Sequence, residues 1–433
     1  MPSMPISVRV RLSAMMFLQF LLFAVFWQPL AAYLSKLGLS GTQMALILSS
    51  MAIGCLVSPI IGMIADRHFP SEKVLFVLNL LGAVLLFIAA RQKEATLVFL
   101  TLLLYMLCYM PTWGLTSAIA MANSPSEKFP QIRVFGSIGW FASGAFGLVA
   151  LKAFGTKIDG TVIPLYCGAV TSLVAAVVAL TIPTTPPPAK GQKASVIDAL
   201  GLRAMSLMKD FNFSLFIVIS LLVMIPFSIY WSYFSIFLED KGFQLHSATM
   251  NWGQFVEMFV MLLVPIVLLR IGIKWTMCIG LVALVARYLF FLFGGTQDQT
   301  WMVYGGILVH GVIFSFFFVG GQIYVDKKAT PQIRAQAQGL LFLLSFGLGL
   351  LIGNFFNGML IARNTTEELV SGEMTKVYNW NIIWGITTAI SIVLLAAFVF
   401  LFRDKLDYQG TESASVEPEP EPQLQASKPL GDE

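Results

Sequence analysis

Apolar runs of about 20 residues, the length that crosses a hydrocarbon core, follow one another along nearly the whole chain. Short loops rich in Gly, Pro and charged residues separate them. The pattern predicts twelve spans: 12–34, 42–64, 73–90, 95–122, 131–154, 161–182, 211–238, 247–269, 273–293, 299–325, 332–361 and 378–402. An even number puts both ends on one face. The first run is too long for a signal-peptide core and no small-residue cleavage site follows it, so it reads as a retained helix. The fold expected is an all-α polytopic membrane protein of two pseudo-symmetric six-helix bundles.

One long loop divides the spans six and six. It opens with Pro183, Pro186, Pro187 and Pro188 and closes on a basic stretch through Lys209. Residues 196–208 alternate apolar and charged positions at helical spacing, which predicts a helix lying along the membrane surface. The expected domains are an N-terminal bundle (1–182), a connecting loop (183–210), a C-terminal bundle (211–405) and a tail (406–433). That tail is rich in Glu, Pro, Ser and Gln, cannot bury a core, and is expected to be disordered. The halves echo each other: Pro130-Gln131-Ile132-Arg133 answers Pro331-Gln332-Ile333-Arg334, and Lys73 answers Lys274. Both pairs share an offset of about 201 residues, the mark of an internal duplication.

Composition agrees, with 57% hydrophobic and 12% charged residues, far too apolar for a soluble domain. The net charge of +4 is scattered over short loops, which points to no nucleic-acid partner. Placing both ends in the cytoplasm puts Lys and Arg on that side by roughly two to one, as the positive-inside rule requires. Cys55, Cys108, Cys167 and Cys278 each fall alone in a different run and read as small packing residues. No nucleophile with a base and no metal-ligand cluster stands out, so neither an enzyme nor a cofactor or metal is expected.

Against this background Glu257 stands out. A carboxylate near a bilayer midplane costs at least about 2.5–3.5 kcal/mol, so it faces a protein interior or a water path. Gln254 and Asn251 precede it on the same helical stripe and can hydrogen-bond a cargo. Desolvation favours a protonated carboxyl and a nearby cation favours the ionised one, so an acid that gains and loses a cationic neighbour can carry a proton. The plainer reading makes Glu257 a structural partner of Arg133 or Arg287. Arg133, Ser137, Trp140 and Gly144 share one face of the fifth span. Arg133 either serves that face or snorkels to the surface. Gly136, Gly139, Ser143 and Gly147 form a neighbouring face for close packing. His310 shares a face with Phe314 and Phe317; it either titrates or is a neutral packed histidine. Tyr230, Tyr233 and Phe234 follow Pro226 in the seventh span and either wall a cavity or simply pack.

Gly62-Met63-Ile64-Ala65-Asp66-Arg67, with Lys73 after it, resembles the loop signature of the major facilitator superfamily. The stretch from Phe129 to Trp140, Gly253-Gln254-Phe255-Val256-Glu257, Arg270-Ile271-Gly272-Ile273-Lys274 and the run from His310 through Lys328 are similar to the bacterial nucleoside:proton symporters. That resemblance implies a monomeric, bilayer-embedded importer of nucleosides with protons, in the inner membrane, working by alternating access. It implies that Arg133, Ser137, Trp140, Gln254 and Glu257 line the nucleoside site together with Phe314, and on the residues alone Tyr230 and Ser315 are expected to contact the cargo as well. Glu257 would be the proton-sensitive group, and Asp66 and Arg67 would brace the outward-open state. The chain departs from the family at Ser315, where an aspartate thought to take part in coupling is usual, and His310 is the titratable group that could stand in. It departs also at Phe23, Ala24 and Phe26, where a Trp-Gly pair is common. Two rivals remain on the residues alone: an uncoupled facilitator or porter of another polyhydroxylated solute such as a sugar, and a ligand sensor that does not transport.

Overall fold

The computed structural model describes residues 4–125, 128–187, 196–296, 299–330, 333–370 and 373–403. The stretch 188–195, Pro331, Gln332 and the tail at 406–433 lie outside the described residues. The membrane helices are α1 (Ile6–Lys36), α2 (Gly41–Met63), α3 (Ser71–Ala89), α4 (Ala95–Ala122), α5 (Phe129–Phe154) and α6 (Ile163–Ala179), then α7 (Phe211–Asp240). One continuous helical stretch follows, His246–Gly295, and Gly272 at φ 74° breaks it into α8 (246–271) and α9 (273–295). A side chain at that left-handed position would be strained, so glycine makes the sharp return possible. The last are α10 (Thr300–Lys328), α11 (Gln336–Arg363) and α12 (Trp380–Leu401).

Twelve membrane helices in two six-helix halves is the architecture expected. The halves pair their helices alike: α1 packs on α5 and α6 as α7 packs on α11 and α12, and α2 packs on α4 as α8 packs on α10. The most enclosed are α1 and α7, with 67% of each apolar window buried, which puts them at the axis between the halves. The small-residue face of α5 packs on α1, since a Cβ at Gly139 or Gly136 would collide with Phe17 or Phe20. Gly41 on α2 approaches Gly358 on α11 just as closely, which joins the two halves along a second seam.

Three features depart from the sequence expectation. The surface helix over 196–208 is instead a single turn, Val196–Ala199, and a 3-10 segment, Leu202–Lys209, because Gly201 turns at φ 70° between them. A short antiparallel hairpin, β1 (Thr365–Val370) and β2 (Glu373–Tyr378), fills the α11–α12 connection. Third, α7, α10 and α11 each widen into a π-helical segment, at Ile229–Tyr233, Phe314–Val319 and Leu343–Gly349. Such segments leave carbonyls without their usual amide partner. Asn357 Nδ2 donates to the Ile225 carbonyl at 2.7 Å, and the Tyr288 hydroxyl donates to the Pro226 carbonyl.

Candidate functional site

The polar stripe of α8 divides into two jobs. Asn251 is committed to holding the halves together: it bonds Gln28 of α1 at 2.8 Å, and its amide donates to the Phe141 carbonyl and Ser143 hydroxyl of α5. Both its amide hydrogens and one lone pair of its oxygen are taken, which leaves a single acceptor position and makes it chiefly a link between the halves rather than part of a binding face. Gln254 and Glu257 face the other way, toward α10. A Cβ at Gly253 would lie 2.8 Å from the Cβ of His310, and one at Gly311 would lie 2.5 Å from the Glu257 amide nitrogen. The two glycines therefore let α8 and α10 touch backbone to side chain, which fixes where Glu257 and His310 meet.

His310 is fully buried and held from one side by Arg287 of α9, whose Nη2 lies 2.7 Å from the ring Nδ1. A guanidinium only donates, so Nδ1 accepts and the ring hydrogen resides on Nε2. That Nε2 is 3.1 Å from the Gln254 amide and 3.8 Å from Glu257 Oε2. A donating Nε2 requires Gln254 to present its oxygen, an orientation set by the network. The Tyr230 ring covers the arrangement, 4.0 Å above the Arg287 guanidinium and 5.2 Å from the His310 ring. Phe314 lies 6.2 Å from the same imidazole. Histidine, glutamine and glutamate thus form one group, and Arg287 sets its tautomer.

Across the seam, α5 presents Arg133, Ser137 and Trp140 on one face. Arg133 is half-buried with its guanidinium 4.5 Å from the Phe20 ring, and its charge reaches Glu257 without a direct ion pair. It does not snorkel free of the interior. Ser137 is half-buried beside it, while Trp140 is buried between Phe23 at 5.8 Å and Trp231 at 5.3 Å. Its indole N–H and the Tyr230 hydroxyl are buried without a partner. Trp27, Gln28, Trp140, Tyr230, Trp231 and Gln254 surround a void of only about 10 Å³. That is space for a single water. Ser315 is fully buried within the π segment of α10 with its hydroxyl unpartnered. Arg67 ends the second helical run and donates to the Met63 carbonyl at 2.9 Å, while the Asp66 side chain lies outside the described residues.

Sequence reasoning missed the contacts that close the face opposite the termini. Glu239, at the end of α7, takes Lys36 of the first half at 2.8 Å and Lys157 at 2.9 Å, with His246 at 3.1 Å. Asp159, in the α5–α6 loop, accepts from the Ser247 amide at 2.9 Å and hydroxyl at 3.2 Å. Burial pushes the Asp159 carboxyl above the usual carboxylate range, and those bonds pull it partly back. The hairpin joins in through the Tyr378 hydroxyl on Ser35 and Lys376 on the Ser35 and Leu39 carbonyls. The signal available was an acid at one span end with lysines in facing loops. A larger cavity, about 420 Å³, lies on the other side of the site, between α2 and α4 of one half and α7, α10 and α11 of the other.

Against known proteins, the sequence matches the family described as Nucleoside H+ symporter over residues 6–407. It is 37% identical over 401 residues to the putative nucleoside transporter YegT of Escherichia coli, covering 91% of this chain and 93% of that one. The Escherichia coli xanthosine permease is 28% identical over 430 residues, covering 95% and 99%. Among solved structures, nucleoside transporter NupG superposes with a TM-score of 0.81 at 28% identity, covering 92% of this chain and all of that one.

Proposed function

This chain belongs to the nucleoside H+ symporter family, and on that premise we propose that it imports nucleosides with protons by alternating access of its two halves. The observation that carries this reading is the junction of α5, α8 and α10. There one buried carboxylate, Glu257, shares a boundary with a cation, Arg133, a fixed N–H donor, His310, and an amide, Gln254.

These groups suit a nucleoside. Trp140, Phe314 and Tyr230 offer flat faces for a base, and stacking of a base on an aromatic is worth roughly 1–3 kcal/mol. Arg133, Ser137 and Gln254 supply donors and acceptors for ribose hydroxyls and base edges. Arg133 sits on the first half and Glu257 on the second, so rocking the halves changes their separation. A buried carboxyl that loses its cationic neighbour takes up a proton, and one that regains it lets the proton go. In this conformation His310 carries its hydrogen on Nε2 and donates it to Gln254 at 3.1 Å, with Glu257 Oε2 3.8 Å away, and we read it as the group that positions Gln254 beside the carrier. Each proton moving down a 100 mV potential releases about 2.3 kcal/mol, enough to sustain a roughly 50-fold nucleoside gradient at one proton per cargo.

The reading includes a placement: a bacterial inner membrane, both termini cytoplasmic, the Glu239 lock on the outer face and the 420 Å³ cavity toward the cytoplasm. The halves are 1–182 and 211–405, joined by the loop 183–210, and the monomer is the working unit, with Asp66 and Arg67 bracing the outward-open state. Labelled uridine and adenosine supplied to proteoliposomes, with and without an inward-acid pH gradient, test it. Accumulation above the outside concentration only with the gradient is expected. Equilibration unaffected by the gradient would favour the uncoupled facilitator, the reading that Ser315 in place of an aspartate supports.

A further inference from the structure

The cavity of about 420 Å³ is separate from the residues just described. It lies toward the face bearing both termini, since Gln322 and Gln338 on its wall belong to the ends of α10 and α11 next to the loop that joins them. Ser220 on α7 and Ser345 on α11 also line it, each 2% exposed, and neither hydroxyl has a hydrogen-bond partner. Hydroxyls in membrane helices ordinarily bond back to a carbonyl one turn earlier, as Thr116, Thr387 and Ser391 do here. These two hydroxyls forgo that bond beside one cavity and lie just behind its wall, where a side-chain rotation would turn them to a ligand. Around them stand Trp113 of the first half and Phe216, Phe317, Phe318, Phe342 and Phe346 of the second.

The central pocket, by contrast, has room for one water in this conformation. Phe318 lies on the wall of the larger cavity, on the side of the histidine group. Its ring packs on Phe227 at 4.8 Å and Phe314 at 5.6 Å, beside the histidine group, and also faces the larger cavity.

We propose that this cavity is a second nucleoside-binding subsite, occupied when the protein is open to the cytoplasm, where the cargo stacks on Trp113 and hydrogen-bonds Ser220 and Ser345 before release. The proposal rests on the nucleoside-transport reading. It adds that the last contact before release differs from the site where coupling occurs, so affinity measured from the two membrane faces depends on different residues.

The test is zero-trans flux of labelled uridine in right-side-out and inside-out membrane vesicles. The variants are Trp113→Ala, the pair Ser220→Ala with Ser345→Ala, and the conservative Trp113→Phe. Trp113→Ala and the serine pair are expected to raise KM at the cytoplasmic face at least about fivefold and to leave KM at the outer face unchanged. Trp113→Phe, which keeps a stacking face, should recover most of the cytoplasmic affinity that Trp113→Ala loses. An unchanged cytoplasmic KM in the serine pair and in Trp113→Ala overturns the subsite. So do opposite shifts at the two faces, which would mean that these residues only bias the conformational equilibrium. If the unaltered protein moves neither uridine nor adenosine in either vesicle, the transport reading itself fails, and the subsite with it.

Discussion

His310 shows how one hydrogen bond can decide a residue's chemistry. As a lone histidine in an apolar helix it could be a proton carrier or a packed neutral ring. The 2.7 Å contact from Arg287 to Nδ1 favours the second role in this conformation and aims the remaining N–H at Gln254, with Glu257 3.8 Å away. Arg287→Leu removes the donor and frees the ring to change tautomer, whereas Arg287→Gln keeps an N–H for Nδ1. Losing a hydrogen bond from a charged group costs about 1.5–3 kcal/mol, so the leucine variant should raise the KM for uridine roughly tenfold or more. The glutamine variant should lie within about threefold of the unaltered protein. Equal KM values for the two, measured in proteoliposomes, would remove His310 from the argument. The carboxylate and its neighbours were legible as residues because a charge inside an apolar run needs a reason. Their partners were not, since nothing in the spacing joins Arg287 to a histidine on the next helix. Asn251 illustrates the converse, correctly seen as polar and interior but spent on Gln28, Phe141 and Ser143.

Among the elements, helix count follows from run length, because a bilayer leaves a helix no other way to satisfy its backbone. The π segments of α7, α10 and α11 left no such trace. In α7, side chains of neighbouring helices take up carbonyls that the widened turn releases, and apolar periodicity is silent on that. Asn357 supplies one such bond, to the Ile225 carbonyl, and also bonds the Ser228 hydroxyl at 2.8 Å. Asn357→Leu should therefore lower stability by about 1–3 kcal/mol, read as a lower melting temperature in detergent. The side chain of Asn364, just past the end of α11, bonds only the Leu360 carbonyl of its own helix, and Asn364→Leu should be nearly silent. Equal losses for the two would say that the π segment does not depend on its side-chain partner. The hairpin at 365–378 was invisible for another reason: it is short and polar, and its role comes from what Tyr378 and Lys376 reach on the other half.

For the whole molecule, the two halves are held closed on one face and stand apart around a cavity on the other. Glu239 is the hub of the closed face because both lysines that meet it come from the other half. Glu239→Gln should weaken that closure and shift the population toward the outward-open form. Spin labels at Thr156→Cys and Thr366→Cys, on loops of opposite halves at that face, should report a longer mean distance in the variant; an unchanged distance distribution would show that the lysines do not hold the gate. The duplication of the fold was readable from the repeated Pro-Gln-Ile-Arg motif, yet which face is shut depends on contacts between loops far apart in sequence. Everything proposed about transport turns on whether Glu257 carries a proton together with the cargo. The most direct measurement follows the luminal pH of proteoliposomes with an entrapped dye when uridine is added outside at equal pH. The lumen should acidify with the unaltered protein and stay level with Glu257→Gln, although the variant still exchanges labelled uridine. A lumen that stays level with the unaltered protein, or acidifies equally with the variant, would contradict the account.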